Sequence, residues 1–131
     1  MREILKKAGY SDKAIHYYLK KVNVGEIKNP DATFTYTGHC GDTMTFFLRI
    51  KNDKIQNAKF ISTGCSGAFA FGSALTTIIK GKTLEEAKKL TEKDIIKDVG
   101  NIPRHKLHCA IISRETLRGA VKKFEKALKT K

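Results

Sequence analysis

A change of hydrophobic rhythm in the middle of the chain constrains the fold more than any other feature. From residue 32 to 62 apolar side chains recur in strand-like segments, and from 66 onward they recur at helical spacing. A period of two lines one face of a strand, whereas spacings of three and four line one face of a helix. ATFTYTG (32–38) alternates through Phe34 and Tyr36. TMTFFLRI (43–50) places Met44, Phe46, Leu48 and Ile50 on one face. Residues 55 to 62 return as a third strand with Phe60 and Ile61, after the turn-forming KNDK. The pattern predicts an antiparallel meander with one face covered.

Helices are predicted on both sides of it. Ser11 can cap a helix over 11–22, in which Ile15, Tyr18, Leu19 and Val22 recur; Gly25, Asn29 and Pro30 then break the pattern. Residues 66–80 carry Phe69, Ala70, Leu75, Ile78 and Ile79, and Gly81 ends the run. Thr83 and Glu86 form a capping-box pattern, and Thr91 opens a short helix through Ile95 and Ile96. Ser113 can cap a last helix, with Leu117, Ala120, Val121, Phe124 and Leu128 as its core-facing stripe. Strands followed by helices predict an α+β fold, a three-stranded antiparallel sheet packed against several helices. At 131 residues the chain is read as a single compact domain spanning 1–131.

Composition narrows the function. No apolar run approaches the roughly 20 residues of a spanning helix, and the N-terminal residues lack a signal peptide's apolar core, so no membrane association is expected. The expected location is cytoplasmic. Twenty-six Lys and Arg against thirteen Asp and Glu give a net charge of +13. That balance suits anionic partners, or simply a solvated lysine surface. A nucleic-acid-binding module is unlikely, because no recognised motif or aromatic-interleaved basic patch is present.

There are three cysteines, Cys40, Cys65 and Cys109. An odd count in a reducing compartment argues against a disulfide framework. Cys40 lies in TGHCGD, between two glycines and two residues before Asp42. Cys65, in STGCSGAFA, stands where a strand gives way to an apolar helix, and a helix N-terminus favours the thiolate. Cys109 follows Arg104, His105, Lys106 and His108, whose positive charge lowers a thiol pKa. Three thiolates plus one carboxylate or imidazole would complete a four-coordinate site for zinc or a two-iron cluster. Taken singly, Cys65 before an apolar helix is as much at home as buried filler as it is as a ligand, His39 as a loop residue and His16 as a structural one. No CxxC is present, so the spacing alone does not decide between these readings.

Taken together, GHCGD, GCSGA and KLHC resemble the three ligand-bearing motifs of iron–sulfur cluster assembly scaffolds of the IscU and NifU N-terminal type. YSDKAIHYY resembles that family's opening helix, NVG its following turn and KGKTLEEA its mid-chain linker, so the likeness covers nearly the whole chain. The resemblance implies a scaffold and carrier rather than an enzyme. On it a transient [2Fe–2S] cluster would be built from iron and the sulfur of a cysteine desulfurase, then passed to apo iron–sulfur client proteins. Cys40, Cys65 and Cys109 would be ligands, His108 or Asp42 would supply the fourth contact, and His39 adds a further candidate. Zinc would suit the same ligands. The alternative is a zinc-bound sulfur-acceptor protein, but the insertion between the second and third cysteines that marks that branch is missing. An Hsp70-type chaperone is doubtful as a partner. The family's recognition segment is Leu-Pro-Pro-Val-Lys, and here it reads Ile102-Pro103-Arg104-His105-Lys106.

Overall fold

A computed structural model describes residues 2–38, 41–64 and 66–129. Cys40, Cys65 and His39 lie outside the described residues. The elements are α1 (Arg2–Lys7), α2 (Asp12–Leu19), β1 (Ala32–Thr37), β2 (Thr43–Lys51), β3 (Lys54–Ser62), α3 (Ser66–Ile79), α4 (Leu84–Lys88), α5 (Glu92–Val99), a 3₁₀ turn (Arg104–Lys106) and α6 (His108–Lys129). The three strands form one antiparallel sheet in the order β1-β2-β3. The α+β expectation therefore holds.

The β2–β3 hairpin turns on Asn52 and Asp53, whose φ angles of 53° and 64° are left-handed. Two such residues make the turn that matches strand twist, and Asn and Asp tolerate it. Met44, Phe46, Leu48, Ala58 and Phe60 are buried on one sheet face, as their alternation requires. Helices α3 and α6 cover that face. Gly72 lets α3 come close: a Cβ there would lie 2.5 Å from the Phe60 ring. Gly38 does the same for α6, since a Cβ would meet Ile112 at 2.6 Å. A full side chain at Gly72 would push α3 off the sheet, whereas one at Gly38 would have to displace the end of the Ile112 side chain.

Local signals set most helix ends. The Ser11 side chain accepts the Ala14 N–H at 3.0 Å, so Ser11 caps α2 as read. That helix stops at Leu19 rather than at residue 22, because Lys21 and Asn23 take left-handed φ values of 48° and 62°. Thr83 with Glu86 and Thr91 with Asp94 each form a complete capping box. Asp98 joins α5 to α2, accepting from Lys13 at 2.9 Å and from the Tyr17 hydroxyl at 3.2 Å. Burial, and then the Asp98 charge, push the Tyr17 phenol above its ordinary range.

One helix is new and two further readings are corrected. Helix α1, with Leu5 buried, was not foreseen. Ser113 is not a cap: α6 already begins at His108, and the buried Ser113 hydroxyl donates to the Cys109 carbonyl one turn back. The stripe of α6 is buried at Leu117, Ala120 and Val121, but Leu128 is exposed. Among the described residues no helix is long and apolar enough to cross a membrane.

Candidate metal centre

Three of the six ligand candidates meet at one end of the sheet. Ligand atoms of Asp42, His108 and Cys109 all lie within 4.8 Å of one another. Asp42 is half-buried, His108 exposed and Cys109 fully buried. The site is thus a wall with one solvent-facing ligand.

Asp42 arrives from the β1–β2 hairpin. Gly38 N–H donates to the Asp42 carbonyl at 2.9 Å, and Gly41 N–H to the Gly38 carbonyl at 3.0 Å. Gly41 has φ +89°, where a side chain would be strained. The same corner is laced to the end of β3. Thr63 N–H donates to the Thr43 carbonyl, Ser62 Oγ donates to that same carbonyl, and Gly64 N–H donates to Ser62 Oγ. Gly64 also runs close to the Asp42 carboxylate, since a Cβ there would lie 3.3 Å from Oδ2. The described turn just before Cys65 therefore borders the carboxylate. Just after it, Ser66 Oγ donates to the Tyr10 hydroxyl at 2.7 Å.

His108 and Cys109 arrive on the first turn of α6. Adjacent helix residues point about 100° apart, so they can serve one ion only where the helix begins, and this helix begins there. His108 Nδ1 lies 3.1 Å from the His105 carbonyl oxygen. A carbonyl can only accept, so Nδ1 carries a proton, and in the neutral ring Nε2 is the nitrogen with the lone pair. Nε2 is 3.7 Å from Cys109 Sγ. This is the usual arrangement of a metal-binding imidazole, one nitrogen held by the backbone and the other free to ligate. A buried thiol, a half-buried carboxylate and an oriented imidazole form a mixed set suited to zinc or to iron with sulfide.

The preceding segment divides sharply by exposure. Ile102 and Pro103 are buried, while Arg104 and His105 are exposed. Two contacts at this end escaped the sequence reading. One is the Tyr10–Ser66 bond, which spans 56 residues, and the other is the seating of Gly64 on Asp42. No local pattern announces either. The glycine in GCSGA was the one signal present, and it marks close approach without naming the neighbour.

Comparison with known proteins gives the same picture. The family model described as NifU-like N terminal domain matches residues 9–131. Iron-sulfur cluster assembly scaffold protein IscU 1 of Archaeoglobus fulgidus is 37% identical over 113 residues, covering 86% of this chain and 74% of that protein. Iron-sulfur cluster assembly scaffold protein IscU of Aquifex aeolicus is 35% identical over 118 residues, covering 88% and 75%. The crystal structure of a nitrogen-fixing NifU-like protein (N-terminal) from Brucella abortus superposes with a TM-score of 0.70 at 16% identity, over 88% of this chain and 94% of that one. At that identity the likeness speaks for the fold alone.

Proposed function

The chain belongs to the family of NifU-like N-terminal domains, and from that premise we propose that it is a scaffold for iron–sulfur cluster assembly. The observation that carries this reading is the meeting of Asp42, His108 and Cys109 at one end of the sheet. The cluster is cargo. A [2Fe–2S] unit bound by Cys40, Cys65 and Cys109, with His108 or Asp42 as fourth ligand, fits the family motifs and the mixed donor set.

The chemistry asked of the protein is modest. A cysteine desulfurase supplies sulfur as a persulfide. A scaffold thiolate attacks its outer sulfur, and the desulfurase thiolate leaves. Reduction of the transferred sulfur to sulfide takes two electrons from a separate reductant. Iron binds the same side chains. A cluster held partly by oxygen or nitrogen at a solvent-facing edge can then leave for an apo client protein, since exposure and non-thiolate ligation loosen such centres. Zinc suits the same ligands. Recruitment of an Hsp70-type chaperone is not part of the proposal, because exposed Arg104 and His105 replace the family's proline and valine. A zinc-dependent sulfur acceptor is not favoured: these relatives are named as scaffolds, and the insertion that marks that branch is missing.

Anaerobic reconstitution with iron, sulfide and thiol reductant tests the reading. The expected product has visible charge-transfer absorption and acid-labile sulfide equal to iron. A folded chain that acquires neither would overturn it. Serine at Cys40, Cys65 or Cys109 should each weaken retention; if only one mattered, a persulfide carrier would be the better account.

A further inference from the structure

The order β1-β2-β3 leaves two sheet edges. The β3 edge is covered, with Gly25 N–H donating to the Phe60 carbonyl and Phe60 N–H to the Asn23 carbonyl. The β1 edge is not. In an antiparallel ladder alternate residues turn their backbone groups toward the partner strand. Gly38 bonds Asp42 at the hairpin end, and the register runs from Thr37↔Thr43 to Ala32↔Leu48. Ala32, Phe34 and Tyr36 therefore pair with β2, and Thr33, Thr35 and Thr37 turn N–H and C=O outward. Among the described residues nothing bonds those outward groups. Such an edge is a template for another strand.

A second feature runs alongside. Gly119 brings α6 against the Phe34 ring, which a Cβ there would meet at 2.3 Å. Lys122, Lys123 and Lys126 follow on the same side of the helix and, with Phe34 and Gly119, line a groove of about 630 Å³. Glu125, the carboxylate that also lines it, is paired with Lys88 at 2.9 Å. Among the described residues the three lysines form no ion pair.

We propose that the β1 edge and this groove together receive an extended acidic segment of a partner protein, added to the sheet as a fourth strand. Its backbone pairs with Thr33, Thr35 and Thr37. Its alternate side chains fall toward α6, where carboxylates meet the lysines, and the intervening apolar ones turn to the other face of the sheet. Charge selects the occupant. A second copy of this chain would bring the same lysines and a further +13 against them. A nucleic acid would satisfy the lysines but lacks the two-residue repeat of donors and acceptors that the edge presents. The docked strand ends near Gly38, beside the hairpin that carries Asp42, so the surface is a handle next to the candidate metal centre. The inference does not depend on what that centre binds.

The experiment uses the isotope-labelled full chain and a capped peptide of about seven residues alternating Glu and Val. The expected result is saturable shifts at Thr33, Thr35 and Thr37, with slowed amide exchange at all three. Binding should weaken about tenfold or more in the double variant Lys122→Glu/Lys126→Glu, and for the matching Lys–Val peptide. Thr35→Pro removes an outward N–H and the Thr35–Thr45 hydroxyl contact but no backbone bond of the β2 ladder, so it should abolish protection at Thr33 and Thr37 while the sheet persists. Shifts confined to the lysines without amide protection would overturn the proposal. So would tighter binding of a single-stranded oligonucleotide, or no saturation with the peptide.

Discussion

Helices α4 and α5 and the candidate metal centre are both polar, and they are built in opposite ways. In the helices the capping groups are answered close by. Thr83 and Glu86 exchange bonds across three residues, as do Thr91 and Asp94. At the metal centre the partners come from afar. Asp42 lies beside Gly64 and beside the first turn of α6, and Ser66 bonds Tyr10. The caps of the first region need only residues of their own turn, although the short helices they close are held by docking. The second exists only once the sheet, α3 and α6 have docked. Local polar order stabilises elements, and long-range polar order makes a site.

The sharpest way to break the contrast is to strike the packing that joins the sheet to α3. Phe60 is fully buried and lies against α3 at Gly72. Phe60→Ala should cost about 3–5 kcal/mol in urea unfolding and weaken cluster retention as well. Retention unchanged in this variant would mean the centre is assembled locally after all. Asp42→Ala should do the reverse. Stability should move by less than about 0.5 kcal/mol, because the carboxylate is not in the core. Cluster lifetime, followed by visible absorption during transfer to an apo acceptor, should change severalfold. An unaltered lifetime would remove Asp42 from the centre.

Thr91→Ala tests the local region. It should cost about 1 kcal/mol and leave cluster lifetime as it was. A change in lifetime would couple the two regions. The smallest effect concerns pH. The Thr83 backbone N–H and then its hydroxyl hold the Glu86 carboxyl below its ordinary value of 4.5, and Thr91 does the same for Asp94. A depressed carboxyl contributes stability that is present above its ordinary value and lost as pH falls through the folded one. The thermal midpoint should therefore decline on acidification below about pH 4.5. Glu86→Gln keeps an oxygen to accept the Thr83 N–H but cannot titrate, so it should flatten part of that decline. An identical slope in the variant would show that the charge contributes nothing.

The same division explains what was legible beforehand. The capping boxes, the Asn52–Asp53 turn and the alternation of β2 are local codes, and the sequence displays each directly. The fold class followed from them. The start of α6 was misplaced because Ser113 has the chemistry of a cap. It sits instead where its hydroxyl can bond one turn back, and nothing short-range separates those uses. Leu128 fits the helical period of the stripe yet stays exposed, since a period predicts a face but not how far the neighbour reaches. His108 and Cys109 were readable as candidates from KLHC. Their company with Asp42 was not, because the 65 residues between Asp42 and His108 must fold first. Motif resemblance bridged that gap, and for Cys40 and Cys65 it remains the ground of the proposal.

Helix α6 has a further consequence, in the timing of synthesis. It carries His108 and Cys109 on its first turn, but the residues that hold it to the sheet run on through Val121. A helix of this kind is stable mainly through such docking. A nascent chain that has exposed Cys109 and not yet Val121 holds its ligands without the scaffold that aligns them. Translation thus imposes an interval of about a dozen residues, roughly one to two seconds at about 5–20 residues per second, during which stray metal meets a loose thiol instead of a shaped centre.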